Sequence, residues 1–162
     1  MSRIIILRGL PYSGKTTWAI KKNEKEEQAF YIYDVQAELQ KIAFSDALDR
    51  SEQRDAAMAR LQQLMLIHEN IIVDDVNILP THMKRILNTV REFYDTTGKK
   101  VYVTIKEFHT PVWLCLQRAN KVMTIPDFTK EFNLIIRYYR LCKRRKIIYC
   151  DEENSKTDIQ IH

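Results

Sequence analysis

Short unbroken apolar runs alternate along this chain with longer stretches whose apolar positions recur every three or four residues. Ile4–Leu7 is a continuous apolar run, the pattern of a strand covered on both faces. Ala29–Tyr33 is a second candidate strand, ending at Asp34. Ile71–Val73 is a third, closed by Asp74 and Asp75, and Lys100–Ile105 is a fourth. Ile147–Cys150 is a candidate fifth strand at the sheet edge. Between them, Thr16–Glu27, Gln36–Leu48, Ser51–Glu69, Thr81–Asp95, Pro111–Lys121 and Phe128–Arg145 read as helices. Ser51 is the candidate N-cap of its helix, and Pro111 opens another. Thr81–Asp95 sets Met83, Ile86, Leu87 and Val90 on one stripe, with Gly98 as its expected stop. Strands and helices alternating with crossovers of this length predict an α/β fold: a central parallel sheet of four or five strands with helices on both faces. Residues 1–150 are expected to form one domain, with a lid at about 115–127, and 151–162 a polar C-terminal tail.

Composition narrows the class. The chain has 162 residues, enough for one substantial core, with 45% hydrophobic and 29% charged residues, which excludes a disordered polypeptide. No apolar run approaches the ~20 residues that span a bilayer, so no membrane partner and a cytoplasmic location are expected. Cys115, Cys142 and Cys150 are odd in number and lack metal-like spacing, so they read as buried inert thiols in a reducing compartment. The net charge of +5 favours an acidic partner such as a nucleotide or nucleic acid. Of only three glycines, Gly9 and Gly14 fall in the opening stretch, and that is where the chemistry begins.

Gly9-Leu-Pro-Tyr-Ser-Gly14-Lys15-Thr16 matches G-x-x-x-x-G-K-[ST] without mismatch, after a predicted strand and before a predicted helix. Gly9 lets the chain leave the strand sharply, and Gly14 lets backbone N–H groups close on phosphate oxygens without a Cβ in the way. With Tyr12, Ser13 and Thr17, these residues form the expected cradle for a nucleoside triphosphate at a helix N-terminus. Lys15 is expected at the β- and γ-phosphates, and Thr16 as a ligand for Mg2+. Three acids stand at strand ends, where open parallel sheets bind ligands: Asp34, Asp74 and Asp75. IIVDD has the apolar-run-then-acid pattern of a metal-side carboxylate, with a helix cap as the plainer alternative. Asp34 could take a proton from an attacking hydroxyl.

Four blocks in order, GLPYSGKTTWA, AFYIYD, IIVDDVNILP and CLQRANKVMTIPDFTKEF, resemble the kinase domain of phage-type polynucleotide 5′-hydroxyl kinases, over roughly residues 3–140. The resemblance implies the P-loop kinase fold and an ATP- and Mg2+-dependent transfer of the γ-phosphoryl group to a nucleic-acid hydroxyl. It implies Asp34 as general base, Asp75 rather than Asp74 as the metal-side acid with Thr16, and Arg118 as the lid arginine. Lys15, Asp34 and Arg118 are then the expected catalytic residues.

The sequence also departs from that pattern. The family carries an arginine a few residues after its catalytic Asp, whereas residues 35–41 hold none and Glu38 stands in the segment. A second lid arginine is absent, with Val122 following Lys121. The default acceptor is a polynucleotide 5′-hydroxyl end, DNA ahead of RNA. The alternative is a hydroxymethylated pyrimidine within DNA, such as 5-hydroxymethyluracil, as phage DNA-modification kinases use. A reading of another class is a non-catalytic nucleotide-binding switch. Residues 137–146 carry six positive charges in ten positions, interleaved with Tyr138 and Tyr139, and suit either a phosphate backbone or a helix C-terminus.

Overall fold

Ser2–Arg8 forms β1, and its period-two alternation sorts side chains to two faces: Ile4 and Ile6 to one, Ile5 and Leu7 to the other. The computed structural model describes residues 2–27, 29–45, 47–122 and 125–144. After β1 come α1 (Lys15–Lys25), β2 (Tyr31–Asp34), α2 (Val35–Ser45), α3 (Arg50–Ile67), β3 (Asn70–Asp74), α4 (Pro80–Thr97), β4 (Val101–Glu107), α5 (Val112–Val122) and α6 (Ile125–Arg144). Among the described residues the sheet has four strands, ordered β2-β3-β1-β4 and parallel throughout. Every residue of β3 is buried, as a central strand between helix layers requires. The chain turns from β1 toward β2, and β4 joins on the opposite side. The carboxyl end of β1 therefore lies at the switch point where such sheets hold ligands.

One face packs Ile4, Ile6, Ile71, Val73, Val103 and Ile105 against Leu61, Leu64 and Met65 of α3 and Ile86, Val90 and Phe93 of α4. The other face packs Leu7 and Ile72 against Ala19 of α1, with Phe30, Trp18 and Phe108 closing it. A third cluster joins Leu10 and Ile78, at the strand ends, to Cys115 and Ala119 of α5 and Ile135 and Cys142 of α6. The expected α/β architecture with helices on both faces is present. The expected strand Ile147–Cys150, the tail 151–162 and Cys150 lie outside the described residues.

Several boundaries move for identifiable reasons. β2 begins at Tyr31 rather than Ala29, because the Phe30 N–H donates to the Asn23 side chain at 2.5 Å. The cap of α3 is Asp49, not Ser51: its carboxylate accepts from the N–H groups of Ser51 and Glu52, and the Glu52 carboxylate accepts from Asp49 N. This reciprocal box satisfies donors that a cap at Ser51 would have left unpaired. α6 starts at Ile125, three residues ahead of the expected Phe128, with Pro126 in a first turn that needs no N–H from it. Gly98 ends α4 as expected, at φ 67, with its N–H donating to Tyr94 O at 2.8 Å. Burial raises the thiols of Cys115 to about 11 and Cys142 to about 12, which keeps both protonated and inert.

Candidate functional site

The loop from β1 to α1 is held by contacts from distant segments. Gly9 N donates to Val76 O at 3.0 Å, and Ser13 N donates back to Leu10 O at 3.1 Å. A Cβ on Gly9 would stand 2.8 Å from both Phe108 Cβ and Ser13 Oγ. Gly9 is thus required for close packing, beyond the sharp exit anticipated from the sequence. Tyr12 and Gly14 take positive φ, 63 and 96, which turns the loop into a concave run before the first N–H groups of α1. The αL conformation at Tyr12 is stored strain, of the kind that pre-shapes ligand loops.

Lys15 is the first residue of α1 and is 8% exposed. Its ammonium donates to Gly9 O at 3.1 Å, Leu10 O at 2.8 Å and Ser13 Oγ at 3.5 Å. Burial lowers its pKa, opposed by the negative charges of Asp74 and Asp75. Thr16 Oγ1 donates to Asp74 Oδ2 at 2.6 Å. Burial raises the pKa of Asp74; the Thr16 hydroxyl and Lys15 counter it, and Asp34 and Asp75 add to it.

The three strand-end acids have separate surroundings. Asp34 pairs in register with Asp74 across β2 and β3, stands exposed, and caps α2 by accepting from Ala37 N at 2.9 Å. The functional and helix-cap readings of Asp34 are therefore compatible. Asp75 is buried, and its carboxylate accepts from Gln36 Nε2, Arg54 Nη1 and Val76 N, each at 2.8 Å. Two adjacent acids thus face different ways: Asp74 meets the phosphate-loop hydroxyl and Asp75 meets α2 and α3.

Arg118, on α5, donates from Nη1 to Tyr12 O at 3.1 Å and lies 3.6 Å from where a Cβ on Gly14 would stand. Thr110 Oγ1 donates to Ser13 O at 2.7 Å and Phe108 N donates to Arg8 O at 2.8 Å. The segment after β4 is thereby mounted on the phosphate loop. A cavity of about 760 Å3 opens between them, lined by Tyr12 to Thr17 on one side and by Trp18, Lys21, Phe108 and Arg118 on the other. Its size and its three cations suit a nucleoside triphosphate. Thr16, which lines it, and Asp74, bonded to the Thr16 hydroxyl, offer hard oxygens, the donor type Mg2+ takes alongside phosphate oxygens and water.

Sequence reasoning missed four contributors. Phe108 and Thr110 carry no motif, and only the fold brings them to the loop. Arg54 sits on α3, remote in sequence from any recognisable block. Asn77 takes φ 51 and donates from Nδ2 to Leu7 O at 2.8 Å, tying the loop after β3 to the end of β1. An Asn two residues beyond a strand-end acid is a legible signal for such an αL position.

Residues 2–146 match the family described as chromatin associated protein KTI12. Among solved structures, the chain is similar to one in the Pnkp1/Rnl/Hen1 RNA repair complex, with a TM-score of 0.59 at 20% identity over 86% of this chain and 45% of that one. It is similar to Mycobacterium tuberculosis APS kinase CysC in complex with AMPPNP and APS, with a TM-score of 0.53 at 18% identity over 74% and 69%. It is also similar to the Deinococcus radiodurans tunicamycin resistance protein, with a TM-score of 0.56 at 13% identity over 90% and 96%. At these identities the likeness is one of fold, that of the phosphate-loop kinases. The chain spans less than half the length of the RNA repair chains it matches. No curated protein matches it.

Proposed function

The chain belongs to the KTI12 family and has the fold of a nucleotide-binding, kinase-like domain, and from that premise we propose that it transfers the γ-phosphoryl group of ATP to a hydroxyl on nucleic acid. One observation carries this reading. The Lys15–Thr16–Asp74 arrangement sits beside Asp34, its neighbour in register, at the carboxyl end of one sheet. This proximity supports donor and acceptor chemistry at the same end of the sheet.

In this reading the loop N–H groups and Lys15 bind the β- and γ-phosphates. Lys15 leaves the carbonyls of Gly9 and Leu10 to do so, and its burial makes the exchange of partners favourable once a full negative charge arrives. Thr16 and Asp74 would hold Mg2+ on the protein side, where it would supply positive charge to the triphosphate, in place of the Thr16 and Asp75 pair that the resemblance implied. Asp34 accepts the proton of the acceptor hydroxyl. The oxygen of that hydroxyl forms the new bond to the γ-phosphorus as the bond to the β–γ bridging oxygen breaks, and ADP leaves. Arg118 moves from Tyr12 O onto the transferring group, where such a charge contributes several kcal/mol, on the order of 10³-fold or more in rate. The leading acceptor is a polynucleotide 5′-hydroxyl end, with a hydroxymethylated pyrimidine in DNA as the alternative.

A nucleotide-dependent switch is the second reading. Asp34 already serves as the cap of α2, and the family description names chromatin association rather than a reaction. Labelled ATP offered with 5′-hydroxyl DNA, 5′-hydroxyl RNA, hydroxymethylated duplex and free nucleosides separates the two. For a kinase, label moves to one acceptor class. Asp34→Asn lowers transfer by at least ~10²-fold while ATP affinity changes little, because only the general base is lost. Lys15→Ala removes both. Acceptor-independent behaviour in every arm would sink the kinase reading in favour of the switch.

A further inference from the structure

The charge on α6 has no part in the chemistry above. The inner face of this helix, through Ile135, Tyr138 and Cys142, packs on Leu10 of the phosphate loop and on Ile78 after β3, so it lies across the carboxyl end of the sheet. Its outer face carries Lys130, Asn133, Arg137, Arg140 and Arg144, all of them exposed. At 3.6 residues per turn these side chains fall within an arc of about 80°, along about 21 Å of helix. Elsewhere on the domain, acids and cations find each other: Glu26 pairs with Arg3 and Lys22, Glu107 with Arg8, Asp75 with Arg54 and Asp55 with Arg85. Among the described residues, no carboxylate pairs with Lys130, Arg137, Arg140 or Arg144.

The helix dipole accounts for only part of this charge. Its effect fades within the last turn, which holds Lys143 and Arg144, whereas Lys130, Arg137 and Arg140 stand farther back. An ordinary solvated face does not account for the rest. Arg137 with Arg140, Arg140 with Lys143 and Arg140 with Arg144 are like charges three or four residues apart, and such pairs oppose the helix that carries them. An anion laid along the row removes that repulsion. Three of these cations are arginines, whose planar forks take phosphate oxygens two at a time, and a straight row of forks suits a linear polyanion. Lys143, held over the Tyr139 ring at 5.0 Å, adds charge beside the row. Phe132, 38% exposed on the same side, offers a surface on which an unpaired base can stack. We infer that the outer face of α6 is a docking surface for single-stranded nucleic acid, with Arg137, Arg140 and Arg144 on its backbone phosphates. The inference deepens the kinase reading and rests on it for where the strand leads, to the carboxyl end of the sheet beneath the helix; docking itself needs no turnover.

Equilibrium binding tests the surface apart from the reaction. A fluorescent single-stranded oligonucleotide of mixed sequence, as DNA and as RNA, is titrated by anisotropy across a salt series. The triple variant Arg137→Gln, Arg140→Gln, Arg144→Gln is expected to weaken binding about thirty-fold at low salt and to reduce the log–log salt slope by about 2, at roughly 0.7 for each phosphate contact on a single strand. Its affinity for a non-hydrolysable ATP analogue stays within about two-fold, because the substituted side chains point away from the phosphate loop. Changing the same three residues to Lys keeps the slope and loses part of the affinity. A control triple, Arg91→Gln, Lys99→Gln, Lys100→Gln, removes the same charge from exposed positions at the opposite end of the sheet and leaves the slope unchanged. Equal losses in the two triples, an unchanged slope in the first, or no binding by the wild type would overturn the docking surface. Duplex bound more tightly than single strand would overturn the single-stranded ligand. Arginine-dependent binding to phosphatidylserine vesicles but not to oligonucleotide would overturn it in favour of a membrane surface. Arginine-dependent oligonucleotide binding without transfer to any acceptor would remove the reaction and leave the surface standing. Transfer to a 5′-hydroxyl oligonucleotide with an unchanged KM in the first triple would do the reverse.

Discussion

Asp74 illustrates how one side chain can cost the free protein stability and still be retained. Burial raises its pKa, so between the ordinary carboxylate value and the raised one the folded chain holds a proton that the unfolded chain releases. Ligand-free stability should therefore fall as pH rises through that window. Asp74→Asn should flatten this dependence and raise the melting temperature of the ligand-free protein by ~2–4 °C, which is what ~1 kcal/mol produces in a chain of this size. The same change should weaken Mg2+-dependent nucleotide binding, measured by calorimetry with and without the metal. A variant that melts lower, or binds Mg2+-nucleotide unchanged, would refute the assignment. At this scale, Gly14, Lys15 and Thr16 were legible because the motif encodes backbone and charge together. The difference between Asp74 and Asp75 was not, because adjacent acids look alike until Gln36 and Arg54 are seen to claim one of them.

Elements were legible wherever a period was strong, and their ends wherever capping chemistry was local. Gly98 marks the end of α4 because no other residue type takes φ 67 as cheaply, and a Cβ there would meet nothing within 4 Å. The start of α3 was missed because Ser51 is a good cap in isolation, while the box closed by Asp49 and Glu52 uses both partners at once. Asp49→Ala should cost about 1 kcal/mol, read as a shift in the urea midpoint at constant slope. Ser51→Ala, where the hydroxyl accepts from Arg85 rather than capping, should cost less. Equal losses at the two positions would mean that the box contributes nothing beyond its neighbours. The mounting of α5 was invisible to any periodicity, since Thr110 and Arg118 act on loop carbonyls of Ser13 and Tyr12 rather than on a core.

For the whole molecule, the parallel sheet followed from the alternation of runs and crossovers. The order β2-β3-β1-β4 did not, because pairing partners are fixed by contacts distant in sequence. The phosphate loop joins the core on both sides: Gly9 packs against Phe108 after β4, and Leu10 belongs to the cluster shared with α5 and α6. A bound nucleotide should stabilise the domain as a unit. With Mg2+-ATP at ~100 times its dissociation constant the expected gain is about 2.7 kcal/mol, measured as a single shifted unfolding transition. Lys15→Ala should abolish that shift. A shift confined to one of two transitions would show that α5 and α6 unfold independently of the loop.

The packing of Gly9 against Phe108 carries one more consequence, for a chain being made on a ribosome. The first motif synthesised supplies only part of the cavity lining, since Phe108 and Arg118 come from about a hundred residues later. Until β4 has emerged and zipped alongside β1, a nascent chain carries the phosphate-loop motif without Phe108 and Arg118 to complete the cavity. On the reading proposed above, stable loading with ATP is therefore expected only once synthesis has passed the fourth strand.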